Sequence, residues 1–102
     1  MSLKTYLKWL TGRLFKMLPM SDTDDAIVDS HLKEYIESMS IQVDGSLKTF
    51  PELCTDMDYL MIVNTLHYWV GTELEVAAFK REIRNVLTLL NKMEERMVME
   101  NE

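Results

Sequence analysis

The chain has few side chains that could carry catalytic chemistry. It contains one cysteine, Cys54, and two histidines, His31 and His67. A nucleophilic site needs a cysteine or serine beside a base that a third group orients, and no local signature accompanies Cys54. We therefore expect Cys54 to be a buried or half-buried structural residue near the start of a helix, and we predict no catalytic residue and no enzyme.

Metal and cofactor motifs are equally sparse. His31 and Glu34 have the spacing of the Glu-x-x-His ligands in metal-binding bundles, but their order is reversed and the sequence holds no second copy. The acidic residues 22–25 lack the spaced ligands and the glycine of a calcium loop. Asn64 and His67 are interpreted as a hydrogen-bonded pair in the core. Three glycines provide little material for a phosphate-binding loop, so we predict neither a metal ion nor a cofactor.

Charge is divided unevenly along the chain. The first twenty residues carry four basic side chains and no acidic one, whereas residues 21–102 carry seven basic and seventeen acidic ones. The head is therefore +4 and the remainder is −10, which gives the formal total of −6. A protein with a pI near 4.9 repels nucleic acid at long range, so DNA and RNA are not among the expected partners.

The basic head also has the apolar periodicity of an amphipathic helix over residues 3–18. At 100° per residue its apolar stripe falls within an arc of about 120°. Trp9 and Phe15 lie on the polar side, together with Lys8 and Arg13. Aromatic residues flanked by cations are typical of a protein interface, and equally of a helix in the headgroup layer of an anionic membrane. The alternative is that a small bundle covers this helix on two sides and buries Trp9 within the chain.

Three further helices are predicted, over residues 23–44 or longer, 56–70 and 73–97. Pro19 is expected to end the first helix, and Ser21 with Asp24 is expected to cap the second. Residues 41–50 could instead form a β-hairpin around the Asp44-Gly45 dipeptide. Because an isolated two-stranded hairpin is marginally stable, we favour a helix there.

The third predicted helix has no polar face. Apolar residues point all round the wheel from Tyr59 to Val70, which is typical of a helix that other helices surround. Its content of β-branched and aromatic residues would also suit a buried strand, but no partner strand is visible. Thr55 with Asp58 forms a capping pattern at its start.

The fourth predicted helix begins at a capping pattern formed by Thr72 and Glu75. Its apolar residues then alternate in steps of three and four, as in a heptad seam: Val76, Phe79, Ile83, Val86, Leu90, Met93 and Met97. Glu94 enters the wheel beside this seam, so we expect the last turns to leave the core. Met93 and Met97 are then available to a partner.

These patterns predict one all-α domain over residues 1–102, a compact bundle of about four helices. A single cysteine excludes an internal disulfide bond, and no apolar run is long enough for a transmembrane helix. The apolar N-terminal run is interrupted by cations and lacks the cleavage site of a secretory signal. We therefore expect a cytoplasmic protein.

The segment LKTYLKWLTGRLFKMLPM, followed by an acidic helical body, resembles small all-helical accessory proteins of prophages and other mobile elements in Gram-positive bacteria. The resemblance rests on size, layout and the first helix, and it brings no functional residue with it. It implies an assembly or partner-binding role in a bacterial cytoplasm.

Two hypotheses about function follow. The first is a non-enzymatic helical module for protein interaction or assembly, which associates with itself or with a protein partner. The second is a peripheral membrane protein that the basic helix 3–18 anchors to a membrane surface. The candidate partner-binding residues are Trp9, Phe15, Lys8, Arg13, Met93 and Met97.

Overall fold

The apolar stripes of the sequence form the core of an up-down-up-down bundle. We describe it from a computed structural model, which covers residues 1–100 and the side chains of residues 1–97. The elements are α1 (Leu3–Phe15), the single turn α2 (Met17–Met20), α3 (Ser30–Thr49), a 3₁₀ turn (Pro51–Thr55), α4 (Met57–Gly71) and α5 (Val76–Glu100). This confirms the prediction of an all-α bundle of about four helices.

Neighbouring helices pack in a ring that is closed on three sides. α1 packs on α5, α5 on α4 and α4 on α3, whereas α1 and α3 lie less closely together. The core includes Trp69 and Phe79, whose rings meet edge to face at 4.8 Å between centroids where α4 ends and α5 begins. Of the predicted α5 seam, the six residues from Val76 to Met93 are buried and Met97 packs partly against the core.

The break after the first helix lies earlier than predicted. α1 ends at Phe15, and Pro19 lies inside the short turn α2 rather than beyond the helix. Proline has no N–H to donate to the carbonyl group four residues before it, so the hydrogen-bond ladder is interrupted near Phe15. Pro19 itself sits in the first turn of α2, where N–H groups have no intrahelical partner in any case.

The predicted start of the second helix at residue 23 is wrong. α3 begins at Ser30, and its N-cap is Asp29, whose carboxylate accepts a hydrogen bond from the N–H of Leu32 at 2.9 Å. Ser21 is buried, and its hydroxyl donates to the carbonyl oxygen of Leu18 instead of capping a helix. The helical interpretation of residues 41–50 is correct as far as Thr49.

The segment before α3 pairs with the connection between α4 and α5. The N–H of Val28 donates to the carbonyl oxygen of Leu74, and the N–H of Val76 donates to that of Ala26, both at 2.8 Å. This pairing forms an isolated antiparallel bridge between Ile27 and Glu75. The contact joins segments almost fifty residues apart, so local capping patterns did not reveal it.

Both remaining capping predictions need correction. α4 begins at Met57 with Asp56 as its N-cap, not Thr55, since the Asp56 carboxylate accepts from the N–H of Tyr59 at 3.1 Å. α5 begins at Val76 rather than residue 73, because the bridge to the segment before α3 holds residues 74–76.

Two cations fix the ends of α4. The Lys33 ammonium donates to the carbonyl oxygens of Trp69, Val70 and Thr72 where α4 ends. Arg96 pairs with Asp56 at 3.1 Å and with Asp58 at 3.0 Å where α4 begins. The cation Lys33 at the C-terminus of α4 and the carboxylates of Asp56 and Asp58 at its N-terminus both complement the helix dipole.

The α3 start yields a direct test. Asp29→Ala should lower the free energy of unfolding by about 1 kcal/mol, because the substitution removes the only side-chain acceptor described for the first turn of α3. Urea denaturation of the two chains measures the difference.

The matched control is Asp24→Ala. Asp24 is exposed and belongs to the capping pattern that the sequence suggested, so its loss should change stability by less than about 0.5 kcal/mol. Equal losses in both variants would contradict the helix start at Ser30.

Candidate functional site

The open side of the ring forms an apolar groove between α1 and α3. The cavity along it has a volume of about 400 Å³. We call it the groove and define it by its lining residues: Met1, Tyr6, Trp9, Ile41, Gln42, Gly45, Ser46, Thr49 and Phe50. Ile41 is 70% exposed and Trp9 is 38% exposed, so two large apolar side chains on opposite walls face solvent.

Small residues on α3 keep the groove open. Gly45 and Ser46 lie on the wall that faces α1, and a methyl group added at Gly45 would meet no atom within 4 Å. The floor is aromatic, since the rings of Tyr6 and Phe50 pack at 5.3 Å between centroids. An apolar concave surface of this size can accept side chains of a partner.

A chain of three buried hydroxyl groups crosses beneath the groove. The Ser46 hydroxyl donates to the carbonyl oxygen of Val43 at 2.6 Å, so its oxygen accepts from the Tyr59 hydroxyl at 2.5 Å. The Tyr59 oxygen then accepts from the Tyr6 hydroxyl at 2.9 Å. The hydrogen of each of these three hydroxyl groups therefore takes part in a hydrogen bond, and the three groups link α1, α4 and α3.

Burial keeps the middle hydroxyl of this chain protonated. The pKa of Tyr59 lies far above its ordinary value of 10.0, chiefly because burial disfavours the charged phenolate. Tyr59 thus remains a hydrogen-bond donor at any physiological pH.

Arg13 lies near two aromatic rings beside the groove. Its guanidinium carbon is 5.9 Å from the centre of the Trp9 ring and 5.4 Å from that of Tyr35. The Tyr35 hydroxyl donates to the main-chain carbonyl oxygen of Arg13 at 2.6 Å. Arg13 enters no ion pair with any side chain of residues 1–97, and its buried Nε has no hydrogen-bond partner.

The six predicted partner-binding residues fall into three places. Trp9 and Arg13 lie at the groove. Lys8 and the 55% exposed Phe15 lie on the other flank of α1, about 100–120° away from Trp9 around the helix axis. The prediction that Trp9 and Phe15 lie outside the apolar core face of α1 is confirmed.

Met93 and Met97 lie elsewhere. They line a small cavity of about 160 Å³ with Leu3, Leu7 and Leu53. Met93 is only 3% exposed because the N-terminal half of α1 covers it, so the expectation that the seam leaves the core at Met93 is wrong. Met97 is half-buried at the same contact.

The residues considered for catalysis are on the surface. Cys54 is exposed, contrary to prediction, and its thiol donates to the carbonyl oxygen of Leu47 at 3.4 Å. His67 and Asn64 are also exposed rather than paired in the core, and His67 Nε2 lies 2.7 Å from Asp44 Oδ1. Among the side chains that the structure describes, no three His, Cys, Asp or Glu residues converge as metal ligands.

Comparison with known proteins adds no further candidate. No protein-family model, curated protein sequence or solved structure matches the chain. Within residues 1–100, no helix has the length and apolar character needed to cross a bilayer.

The hydroxyl chain can be tested by stability. Tyr59→Phe leaves the Tyr6 hydroxyl without its acceptor and the Ser46 oxygen without its donor, so it should cost about 1–3 kcal/mol of unfolding free energy. Tyr68→Phe removes an exposed hydroxyl from the same helix and should cost less than about 0.5 kcal/mol. Equal losses of unfolding free energy in the two variants, measured by urea denaturation, would contradict the hydrogen bonds of the three buried hydroxyl groups.

The raised pKa of Tyr59 also makes the stability of the protein depend on pH, and Tyr59→Phe serves as the reference. Above about pH 10, Tyr59 loses its proton in the unfolded state but keeps it in the folded state, because its folded pKa is raised. The stabilisation that the buried Tyr59 hydroxyl provides is therefore complete below pH 10. Above pH 10, the unfolding free energy of the wild type should fall by up to about 1.4 kcal/mol per pH unit more than that of Tyr59→Phe. Urea midpoints of the two proteins at pH 8 and at about pH 11 measure this, and parallel changes would refute it.

Proposed function

We propose that this chain is a non-enzymatic module for protein interaction or assembly, and that it binds a protein partner in the groove between α1 and α3. The observation that carries the proposal is the combination of Trp9 and Ile41, exposed on opposite walls, with the cation Arg13 beside them, which forms no ion pair within residues 1–97. Tryptophan and arginine are the residue types most enriched among the energetic hot spots of protein interfaces.

The local packing supports a binding role for these side chains. The guanidinium of Arg13 lies near the rings of both Trp9 and Tyr35, and these contacts restrict the side chain before a partner arrives. Pre-ordering reduces the conformational entropy that binding would otherwise cost. An arginine fixed in this way is suited to a carboxylate of the partner, which it can bind in bidentate geometry.

The charge of α1 extends this surface beyond the groove. Lys4, Lys8 and Lys16 join Arg13 on a helical head without an acidic residue, so we expect an acidic partner surface. Lys8 and Phe15 lie on the flank away from the groove and would contact only a partner that wraps around α1. The resemblance to prophage accessory proteins agrees with such a module acting in a bacterial cytoplasm, and that setting is part of the proposal.

A second candidate function is attachment to an anionic membrane surface. The exposed Phe15 among the cations of α1 favours it. However, the apolar stripe that would enter the membrane is buried against the bundle, at Tyr6, Leu7, Leu10 and Leu14. Only Trp9 and Phe15 remain to insert, and they point about 120° apart, so the observations favour a protein partner.

Site-specific photo-crosslinking tests the proposed function. Benzoylphenylalanine in place of Ile41 should give a discrete protein adduct in an extract of cells that express the chain. The same amino acid in place of Thr88, exposed on the outer face of α5, should not. Adding Trp9→Ala to the chain labelled at position 41 should weaken capture by about 30-fold or more, the loss expected for a hot-spot residue.

Two results would contradict the proposed function. One is equal labelling from positions 41 and 88, and the other is no protein adduct from position 41. If the chain instead floats with anionic liposomes, and Lys8→Glu and Phe15→Ala abolish flotation, the membrane candidate replaces the protein-interaction module.

A further inference from the structure

A second apolar surface lies on the outer face of α4. Met57, Met61 and Tyr68 are 76%, 57% and 54% exposed, although the sequence predicted that other helices surround this helix. We call these three residues the ridge. At 100° and 1.5 Å per residue they fall within about 40° of one another and extend about 16 Å along α4. Large apolar residues so aligned are typical of a helix face that fits a groove.

A carboxylate lies beside the ridge, whereas a cation lies beside the groove. Glu82 of α5 lines a cavity of about 350 Å³ beside the ridge, and its carboxylate accepts from Trp69 Nε1 at 3.4 Å. α4 itself carries Asp58 and no lysine or arginine, and Asp58 is already paired with Arg96. The groove has the opposite charge, since Arg13 beside it enters no ion pair within residues 1–97.

The two surfaces face in opposite directions. α1 packs on α5 and α3 packs on α4, so the side of the ring formed by α1 and α3 lies opposite the side formed by α4 and α5. The groove lies on the first side and the ridge lies at the second. One copy of the chain can therefore use both surfaces simultaneously.

Resting on the proposed function, we infer that the occupant of the groove is the ridge of a second copy of this chain. The contact joins two different surfaces, so each added copy presents a free groove at one end and a free ridge at the other. Such a heterologous contact closes into a ring or continues as a filament, according to the rotation between neighbours.

Charge and register select this pairing over a symmetric one. A groove-to-groove dimer would bring the basic α1 helices together, and a ridge-to-ridge dimer would leave Arg13 without an acidic partner. In the head-to-tail pair, Glu82 lies near the Tyr68 end of the ridge and Arg13 lies near the Tyr35 end of the groove. Aligning these ends places Glu82 of one copy opposite Arg13 of the next and leaves Met57 toward the Thr49 end.

Two substitutions that block one surface each test the inference. Ile41→Glu places a carboxylate in the groove, and Met61→Glu places one on the ridge; both positions are exposed, so the fold should be retained. Light scattering coupled to size-exclusion chromatography measures the masses over a range of concentrations. The wild type should exceed 12.0 kDa increasingly with concentration, and less so at higher salt, whereas each variant alone should remain at 12.0 kDa.

The decisive sample is an equimolar mixture of the two variants. The intact ridge of Ile41→Glu can enter the intact groove of Met61→Glu, and no further copy can add. The mixture should therefore contain a species of about 24 kDa, twice the 12.0 kDa of one chain. A wild type that is monomeric throughout, a mixture that stays monomeric, or a Met61→Glu variant that still dimerises would each overturn the inference.

These outcomes are separable from a failure of the proposed function. If the inference fails while photo-crosslinking from position 41 captures a different protein, the groove remains a protein-binding site with another occupant. If position 41 also captures no protein, the proposed function fails as well.

Discussion

Three buried hydroxyl groups hold the bundle together on the side where its helices do not close. The ordered hydrogen bonds from Tyr6 to Tyr59, to Ser46 and to the carbonyl oxygen of Val43 connect α1 with α4 and α3. Buried polar groups are costly unless they are paired, so the position of Tyr6 is tightly constrained once α3 and α4 have packed. That constraint adds to the packing of α1 on α5 and leaves the space above the three hydroxyl groups unfilled.

The groove is the consequence of this arrangement. Hydrogen bonds from Tyr6 through Tyr59 to Ser46, and from Tyr35 to Arg13, connect α1 with α3, and the small residues Gly45 and Ser46 leave room between the two helices. Trp9 and Ile41 therefore keep their apolar surfaces toward solvent. Arg13 and the other cations of the basic head place positive charge beside the groove, which is the basis for the acidic partner surface that we propose.

Sequence periodicity predicted the helices well and their boundaries poorly. The α5 seam and the outward positions of Trp9 and Phe15 follow from helical geometry alone, and both were predicted. The predicted start of the second helix lies seven residues before the observed start of α3, because the pairing of Ile27 with Glu75 joins distant segments that no local pattern connects. The ridge could not be predicted, because apolar residues occur on all sides of α4 and the sequence pattern therefore does not distinguish its exposed positions from its buried ones. Ile41 lies on the side of α3 away from its buried residues, as helical periodicity implies, but the groove was missed because the sequence does not show how far α1 stands from α3.

A double-mutant cycle on Tyr6 and Tyr59 tests this account most directly. Unfolding free energies of the wild type, Tyr6→Phe, Tyr59→Phe and the double variant give the coupling between the two hydroxyl groups without the contribution of the rest of the core. The structure predicts a coupling of about 1 kcal/mol, because the double variant removes both hydroxyl groups of the bond and leaves neither the Tyr6 donor nor the Tyr59 acceptor unpaired. Additive losses with no coupling would mean that the hydroxyl chain does not hold α1 in place and that the groove has another origin.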